Sequence, residues 1–595
     1  MRKPHIISRN ESERYPKVMI FFDVESVKEE RGDDIDKAVF RLGVSCYVKY
    51  DSDKGVKKEE WFYFNRVMDF WKWVDERVKK KSLLRMFALN VDFDFRVLEG
   101  FKQLKELGYE VNHLIYDNNR VIVRFKKGDK RLVILDIGNY FKMSVRRIGK
   151  SIGLSKLLMP SFDESDEKWF EYCKRDVEII KEVMLQLMSY LKKNELSSFK
   201  DTLASIAFSS YKHKFMKIPI YIHTNEEAIE LEKSAYHGGR CECFFIGEIK
   251  DEKVYKLDVN SLYPYVMFKY DYPIRLLFVK DNVSLNDLKR CLDRYLVIGD
   301  VLIEINKPII CVKRERLIFP VGSFRCVLTS PELRLVEKYG KIIECYKLSA
   351  YDYGKIFYDY IQYFYAQRVK FKEERNKAFE LFAKGLLNSL YGKFGQQVVE
   401  WKKVGETDEE DGYYEIYDSV ENRKVKYRVI NGIVFKEETE KRLANDSFIA
   451  IPCFVTAYGR CEVFKFLEII GEGNCYYIDT DSFFVNKEGF KRVNSFIDKR
   501  KLGYLKIEMT ANYLKINGLK DYQFGKEVKV KGIKSNAKKI SDGVYIQDQF
   551  EKFRSAIRNN RVNEVVISSM EKRLRREYNK GIVKEDGWVV PFVLR

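Results

Sequence analysis

YYIDTDSFFV, residues 476–485, consists of two apolar, aromatic-rich runs on either side of Asp479-Thr480-Asp481. Turn-forming aspartates between such runs predict a hairpin of two short strands. A hairpin that holds two carboxylates at the end of an apolar sheet suits divalent cations, which prefer carboxylate oxygens on a rigid support. By itself Asp-Thr-Asp is more often a simple polar turn, so the metal-site interpretation depends on two segments upstream.

The first of these segments is LDVNSLYP, residues 257–264, a strand-like run that contains the acid Asp258. The second is KGLLNSLYGKFG, residues 384–395, which is typical of a basic helix. The helical period places four polar residues of this region on one face, namely Lys377, Lys384, Asn388 and Tyr391. A solvated basic helix face would explain the lysines but not the tyrosine beside Gly392.

Together the three segments resemble motifs A, B and C of the family B DNA polymerases, in the order in which that family has them. Residues 258–264 match motif A, residues 384–392 match motif B and residues 477–482 match motif C. The resemblance implies a multidomain α/β enzyme with the right-hand arrangement of palm, fingers and thumb. It also implies a DNA template, a primer and deoxynucleoside triphosphates as partners.

The resemblance assigns roles to individual residues. Asp258 and Asp481, with the carbonyl of Val259, would bind two divalent cations, Mg²⁺ or Mn²⁺, and Asp479 would support them. The implied nucleotide contacts are Tyr263, Arg368, Lys372, Lys384, Asn388 and Tyr391. The implied DNA contacts are Tyr236, Gly238, Gly239, Arg240, Thr480, Ser482, Lys529 and Lys531. The ring of Tyr263 would exclude a 2′-hydroxyl by steric overlap.

A second group of acids lies near the N-terminus. KVMIFFDVE, residues 17–25, predicts a buried strand on which Asp23 and Glu25 point to the same face. Each acidic segment alone could be an ordinary strand end. Together, Asp23 and Glu25, the run from Asn90 to Asp94, and Tyr172 with Asp176 resemble the three exonuclease motifs of proofreading polymerases.

This second resemblance implies an RNase H-like 3′-5′ exonuclease domain near the N-terminus. Two metal ions would be held there by Asp23, Glu25, Asp94 and Asp176, and Tyr172 would help to place the attacking water. Asn90 and Phe93 would contact the DNA strand. Because every expected residue is present, we expect this site to be active.

Composition agrees with a polyanionic partner. Lys plus Arg number 109 against 89 Asp plus Glu, which gives a formal net charge of +20 on a chain that is 45% hydrophobic. A basic excess favours nucleic acid, because neutralised phosphates release counterions, although a merely soluble basic protein would share it. No apolar run of 18 residues and no signal peptide is evident, so we expect a cytoplasmic monomer without a membrane segment.

Two insertions narrow the resemblance to the protein-primed subgroup of phage, viral and linear-plasmid replicases. Between residues 397 and 446 alternating runs flank Asn431-Gly432, a strong hairpin signal. By analogy, residues 275–355 would bind a terminal protein and residues 397–446 would support strand displacement, with a single-stranded DNA-binding protein as a further partner. The implied divisions are exonuclease 1–190, linker and first palm part 191–274, first insertion 275–355, fingers 356–396, second insertion 397–446, second palm part 447–510 and thumb 511–595.

Other interpretations stay open at this point. A mobile-element polymerase that starts without any primer would share these motifs. A DNA-binding scaffold with decayed catalysis would have lost metal acids, and none is lost here. A dedicated exonuclease would not account for motifs A to C. The expected setting is the cytoplasm of a prokaryotic host that carries a small linear genome.

Overall fold

A computed structural model describes residues 2–30, 35–117, 120–399, 401–419, 422–438 and 442–595. The N-terminal domain is built on one large sheet, whose parallel centre consists of Val18–Glu30, Leu83–Ala88 and Lys130–Asp136. Phe21 faces one hydrophobic core and its neighbour Phe22 faces another. A strand that is buried on both faces explains the continuous apolar run that precedes Asp23.

The rest of this sheet flanks the parallel centre. On one side, antiparallel to Val18–Glu30, lies Ile35–Asp51, which also pairs with Gly55–Phe64. On the other side lie Arg120–Lys127 and Glu110–Asp117. The helices of this domain are Val67–Arg77, Val91–Val97, Gly100–Glu106, Val145–Ser151 and the long Asp166–Lys193. Asp166–Lys193 buries Trp169, Ile180 and Leu187 against the sheet.

The palm is an antiparallel sheet that carries motifs A and C. In spatial order its strands are Cys241–Cys243, Cys475–Asp479, Ser482–Val485, Gly247–Val259, Leu505–Gly518, Asp521–Phe524 and Glu527–Val530. Its helices are Leu262–Lys269, the buried Ala450–Ile470 and Lys487–Val493. The linker that leads into it contains helices Leu203–Ser210 and Glu226–Ala235, the π-helical turn Tyr211–Phe215, and strand Tyr221–Ile222, which pairs with His5–Ile6.

The fingers are two helices, Tyr358–Glu373 and Lys377–Phe394, joined by a tight reversal. Arg375 in this reversal has a φ of +58°, and the side chain of Asn376 caps the second helix by accepting from the amide of Phe379. On one continuous helix Arg368 and Lys384 would lie on nearly opposite faces. If both are to contact the triphosphate, the chain must reverse between them, and the structure contains this reversal.

The first insertion forms a separate sheet with its own core. The strands in order are Tyr272–Val283, Gly340–Gly354, Leu296–Ile305, Val321–Thr329 and the C-terminal Val593–Leu594, with a small hairpin of Val312–Lys313 and Leu317–Ile318. Helices Leu285–Arg294 and Ser330–Tyr339 cover it. Its core includes Leu333 and Val336, and Phe464 from the palm helix joins them. The insertion is therefore packed directly on the palm.

The second insertion is a sheet of Trp401–Glu406, Ile433–Glu437, Arg423–Ile430 and Gly412–Asp418, with Gln397–Val398 pairing Arg442–Leu443 at its base. The Asn431-Gly432 hairpin is confirmed, with φ angles of +57° and +77°. Ile430 and Phe435 enter the core of the exonuclease domain, and the side-chain amide of Asn431 donates to the carbonyl of Phe101 at 2.7 Å.

The C-terminal region differs from the expected thumb at 511–595. Residues 511–530 belong to the palm sheet, because strand Leu505–Gly518 runs through the expected boundary. Strands Lys538–Ser541, Val544–Phe550 and Val565–Arg573 extend the exonuclease sheet, where Ala38 pairs with Val565. Helix Phe553–Arg558 lies on this junction, and Ile582–Val583 pairs with Val589–Val590. Strand Val565–Arg573 pairs with an open edge of the exonuclease sheet, formed by strand Ile35–Asp51. The paired residues are more than 500 positions apart in the chain.

Arg96 fastens the C-terminal region to the exonuclease domain. Its guanidinium is fully buried, donates to the carbonyls of Glu551 and Glu564, and pairs with Asp92 at 3.0 Å. Asp92 also accepts from the amide of Phe553. None of the helices in the described residues is long and apolar enough to cross a membrane.

Candidate active sites

The motif C hairpin consists of strands Cys475–Asp479 and Ser482–Val485, with Thr480 and Asp481 at its tip. Thr480 has a φ of +65°, and its amide donates to the carbonyl of Arg240 at 2.7 Å. Asp258 lies opposite Ser482 across the sheet. The amide of Val259 donates to the carbonyl of Asp481 at 2.7 Å. The ends of motifs A and C are thus joined by backbone hydrogen bonds.

The two motif acids are close enough to influence each other electrostatically. Burial, followed by the charge of Asp258, raises the pKa of Asp481 to about 7. Burial also raises the pKa of Asp258, while its ion pair with Lys506 at 2.7 Å opposes that rise. Lys384 of the fingers stabilises both carboxylates in their charged form. Two half-buried carboxylates with raised pKa values, one of them raised by the charge of the other, fit a divalent cation, since a cation offsets both charges.

Asp479 faces a different set of partners. Its carboxylate lies 3.0 Å from Lys520 and 3.8 Å from Lys529. It therefore anchors basic side chains beside the acids rather than joining them. Lys529 lies where the sequence placed a basic contact, whereas Lys531 is exposed on the following turn.

Sequence reasoning missed Lys506 and Lys520. Lys506 lies on strand Leu505–Gly518 next to motif A, so its role depends on strand pairing. Lys520 lies in the turn before Asp521–Phe524, with a φ of +58°, and is followed closely by Tyr522. The only sequence feature that could have pointed to Lys520 is its place in a turn two residues before Tyr522.

The predicted nucleotide pocket forms where fingers and palm meet. The rings of Tyr263 and Tyr391 have centroids 5.4 Å apart. A side chain at Gly239 would lie 2.8 Å from the hydroxyl of Tyr263, and one at Gly459 would lie 3.1 Å from its ring. Because glycine has no side chain, the backbone at Gly239 and at Gly459 can lie close to Tyr263.

The other predicted nucleotide contacts lie on the finger helices. Arg368 donates to the hydroxyl of Ser261 at 2.6 Å and so reaches motif A. Lys372 is exposed one turn further along the same helix, and Lys384 is exposed on the second helix. Asn388, one turn on from Lys384, is half-buried. Of these side chains, Arg368 reaches motif A by its hydrogen bond and Lys384 by its charge.

The Tyr236–Arg240 segment fits the prediction only in part. Tyr236 is 37% exposed, Gly238 is exposed, and Gly239 lies beside Thr480 of the motif C turn. Arg240, predicted to contact DNA, is buried, pairs with Glu242 at 2.6 Å and covers the ring of Phe319 at 4.2 Å. This charge is already neutralised inside the protein, so the structure does not present it to a phosphate.

The exonuclease acids converge from three elements. Oxygen atoms of Asp23 and Glu25 and the sulfur of Cys173 lie within 4.8 Å of one another. Burial, then the charges of Asp176 and Glu25, raises the pKa of Asp23 well above its usual value. Burial, then Asp176, raises the pKa of Glu25 to about 7. Burial, then the charge of Asp23, also raises the pKa of Asp94, which lies on helix Val91–Val97.

This cluster fits divalent cations. One oxygen of Asp94 and one of Asp176 are buried without a hydrogen-bond partner, and buried polar atoms of that kind need a ligand. The Cys173 thiol donates to Asp23, and burial raises its pKa well above the usual value, so it supports the cluster as a neutral donor. A hard cation would take the carboxylate oxygens.

Lys156 joins the exonuclease site without having been predicted. Its ammonium pairs with Asp176 and lies 4.5 Å from the ring of Tyr172, which is buried. The lysine comes from the irregular segment between helices Val145–Ser151 and Asp166–Lys193. No periodicity marks that segment, so the sequence carried no signal for it.

A cavity of about 980 Å³ adjoins this site, between the exonuclease domain and the C-terminal region. Asn90, with a φ of +74°, lies on its wall, and the carboxylate of Asp136 accepts from the amide of Val91 at 2.8 Å. Its basic and aromatic wall residues are Tyr116, Phe141, Lys142, Arg147, Lys552, Phe553 and Arg554. Phe93 packs edge-on against Phe550, with ring centroids 5.9 Å apart.

Comparison with known proteins agrees with this geometry. The family model described as DNA polymerase type B, organellar and viral, matches residues 163–470, more than half of the chain. The chain belongs to this family. The chain is 27% identical over 366 residues to a probable DNA polymerase of Ascobolus immersus, and 24% identical over 434 residues to the DNA-directed DNA polymerase of Enterobacteria phage PRD1.

The extent of these matches differs between relatives. The match covers 57% of this chain but 28% of the Ascobolus protein, and 69% of this chain with 73% of the phage protein. The fold of this chain resembles that of phi29 DNA polymerase complexed with primer-template DNA and incoming nucleotide, with a TM-score of 0.67 and 17% identity over 94% of this chain and 100% of that chain. The exonuclease domain joined to a right-hand polymerase is thereby confirmed as the fold.

Proposed function

We propose that this type B polymerase extends the 3′ end of a DNA primer on a DNA template, and that its N-terminal domain removes mispaired 3′ ends. The observation that carries the proposal is the hydrogen bond between Val259 and Asp481, which fixes the acids of motifs A and C side by side. Phosphoryl transfer depends mainly on positioning and charge neutralisation, and this arrangement supplies both.

In the polymerase site, each group has a distinct task. Divalent cations held by Asp258, Asp481 and the Val259 carbonyl would activate the primer hydroxyl and neutralise the leaving pyrophosphate. Lys384, which already stabilises both carboxylates, would contact the triphosphate. Tyr263 and Tyr391 would line the sugar and the base pair. Arg368 would reach the triphosphate from the first finger helix.

The exonuclease site would work on a frayed single strand. Asp23, Glu25, Asp94 and Asp176 would hold the cations that activate water. Tyr172 and Lys156 lie against Asp176, where they would orient that water and balance the charge. The adjoining cavity has basic residues for phosphates and aromatic rings for bases, which suits single-stranded DNA.

Initiation from a protein hydroxyl is the most specific part of the proposal. Both insertions exist as folded sheets, one packed on the palm and one on the exonuclease domain. In the protein-primed subgroup insertions at these positions bind a terminal protein and support strand displacement. By this analogy a Ser, Thr or Tyr oxygen of a partner would replace the primer 3′-hydroxyl, and the enzyme would act in a prokaryotic cytoplasm.

Two incubations test the proposed function. A labelled deoxynucleotide with a primed template should give template-directed extension, and a purified protein that extends no primed template would contradict the polymerase assignment. A labelled nucleotide with extract of the host should give a product that survives denaturation and is destroyed by protease. If the purified enzyme instead starts unprimed templates alone, with no protein-linked nucleotide, the primer-independent mobile-element alternative is correct.

A further inference from the structure

A buried ion pair connects the first insertion to the loop beneath Tyr263. Arg460, on helix Ala450–Ile470, donates two hydrogen bonds to one oxygen of Glu332, at 2.6 and 3.1 Å. Glu332 lies in the first turn of helix Ser330–Tyr339 of the insertion. Both side chains are buried, at 5% and 3% exposure. The pair therefore spans the boundary between palm and insertion without contact with solvent.

The other end of the Arg460 guanidinium holds the backbone of the Tyr236–Arg240 segment. Its Nη1 donates to the carbonyls of His237 and Gly238, at 2.9 and 3.0 Å. The second oxygen of Glu332 accepts from the amide and hydroxyl of Thr329, so the carboxylate cannot rotate freely. The guanidinium is planar and rigid, so fixing one edge of it fixes the other.

The next residue of the same segment touches the nucleotide pocket. Gly239 lies against the hydroxyl of Tyr263 and the methyl group of Thr480, each 2.8 Å from where a side chain would begin. Gly459, the neighbour of Arg460, lies against the ring of Tyr263, 3.1 Å from where a side chain would begin. The position of the ring thus depends on helix Ala450–Ile470 and on the loop that Arg460 holds.

From this geometry we infer that Glu332 of the first insertion is a positioning residue for sugar selection. It fixes Arg460, which fixes the carbonyls of His237 and Gly238, and the loop then holds Tyr263 in place. The inference rests on the proposed function and adds to it a residue of the first insertion, which lies outside the palm and the fingers. Loss of the Glu332 charge would leave Arg460 buried with carbonyl partners alone, which is costly, so the guanidinium and the loop would shift.

The test compares Glu332→Gln with a matched control, Glu468→Gln. Glu468 lies on the same helix as Arg460, Ala450–Ile470, and also links that helix to the first insertion. Its described partners are Tyr339 at 2.6 Å and Lys307 at 3.4 Å, and neither belongs to the Tyr236–Arg240 segment. We expect Glu332→Gln to raise ribonucleotide incorporation relative to deoxynucleotide incorporation by about tenfold, since a hydrogen bond to a buried charge is worth about one such factor. Glu468→Gln should keep the wild-type ratio.

Two further measurements separate positioning from a general loss of structure. Degradation of single-stranded DNA by Glu332→Gln should remain at the wild-type rate, because the exonuclease site is in another domain. If Glu332→Gln does not fold, the double variant Glu332→Met with Arg460→Met replaces the pair by apolar side chains of similar size, a change that buried ion pairs often tolerate. It should show the same loss of selectivity.

The outcomes are distinct for the two proposals. A wild-type protein that extends no primer contradicts the proposed function. A wild-type protein that extends primers, with a folded Glu332 variant that selects deoxynucleotides as well as wild type, overturns this inference alone. Equal loss of selectivity in the Glu468 control would also overturn it, because any weakening of the insertion would then suffice.

Discussion

The amide of Val259 donates a hydrogen bond of 2.7 Å to the carbonyl of Asp481. This bond lies beyond the regular strand pairing of Asp258 with Ser482 and closes the end of the ladder between motifs A and C. It leaves Asp258 and Asp481 beside each other at the end of two paired palm strands. The predicted metal-binding acids come from segments more than 200 residues apart, and backbone hydrogen bonds restrict their movement relative to each other.

Replacement of Asp481 by Asn should separate the two activities. Primer extension should fall by about three orders of magnitude, because charge neutralisation by the bound metals contributes several kcal/mol to phosphoryl transfer. Degradation of single-stranded DNA should change less than about twofold, since the predicted exonuclease acids lie in the N-terminal domain and not in the palm. Primer extension and single-strand degradation are measured on the same preparation. Asp23→Asn is the reciprocal control, and loss of both activities in folded Asp481→Asn would contradict separate sites.

The exonuclease acids should be a source of instability without metal. Burial and neighbouring acids raise the pKa of Asp23, so the folded state disfavours the charged carboxylate at neutral pH. Asp23→Asn should therefore raise the unfolding temperature of the exonuclease domain by about 2–4 °C in EDTA. Relative to EDTA, saturating Mn²⁺ should raise the unfolding temperature of the wild type, and it should raise that of Asp23→Asn much less. Thermal unfolding with and without metal measures both effects, and a lower unfolding temperature for the variant in EDTA would count against the mutual repulsion of these acids.

The sequence was sufficient where chemistry and local pattern coincide. The hairpin at Asp479 to Asp481 and the finger helices are each encoded by residues close together in the chain. The strand that carries Asp23 and Glu25 was also predictable, although it continues to Glu30. The reversal near Arg375 was required by the geometry of two helices, and the structure contains it. The hairpin and this strand carry Asp23, Glu25 and Asp481, so these acids could be placed on their elements from local pattern alone.

The sequence was insufficient where a partner is distant and unmarked. The C-terminal strands pair with Ile35–Asp51, and no local pattern shows which edge they will complete. Lys156, Lys506 and Lys520 are ordinary lysines in the sequence, and only tertiary contacts bring them to Asp176, Asp258 and Asp479. Arg240 was misplaced for the same reason, since its partner Glu242 and the ring of Phe319 neutralise and cover it.

Protonation of His237 should destabilise the loop beneath Tyr263. Burial, then the nearby Arg460 charge, lowers the pKa of His237 from 6.5 to about 4. A histidine with a depressed pKa stabilises the fold above its unfolded value of 6.5, and this contribution is lost as pH falls towards 4. His237→Gln, which stays neutral, should lose less stability than wild type between pH 7 and pH 5, by about 1–2 kcal/mol. Urea unfolding at the two pH values measures the difference, and identical pH dependence in both proteins would exclude this role.

Removal of the Tyr263 ring should admit ribonucleotides. Backbone at Gly239 and Gly459 approaches Tyr263 closely and the ring of Tyr391 lies 5.4 Å away, so there is little room for the ring to move aside for a 2′-hydroxyl. Tyr263→Ala should raise the ratio of ribonucleotide to deoxynucleotide incorporation by about a hundredfold, because the discriminating element is steric rather than attractive. Tyr263→Phe keeps the ring but loses the hydroxyl that Gly239 contacts, so its ratio should rise by no more than about tenfold, as for Glu332→Gln. Single-nucleotide extension with each triphosphate gives the ratio directly. An unchanged ratio in folded Tyr263→Ala, or an equal rise in Tyr263→Phe, would show that selection depends on another group.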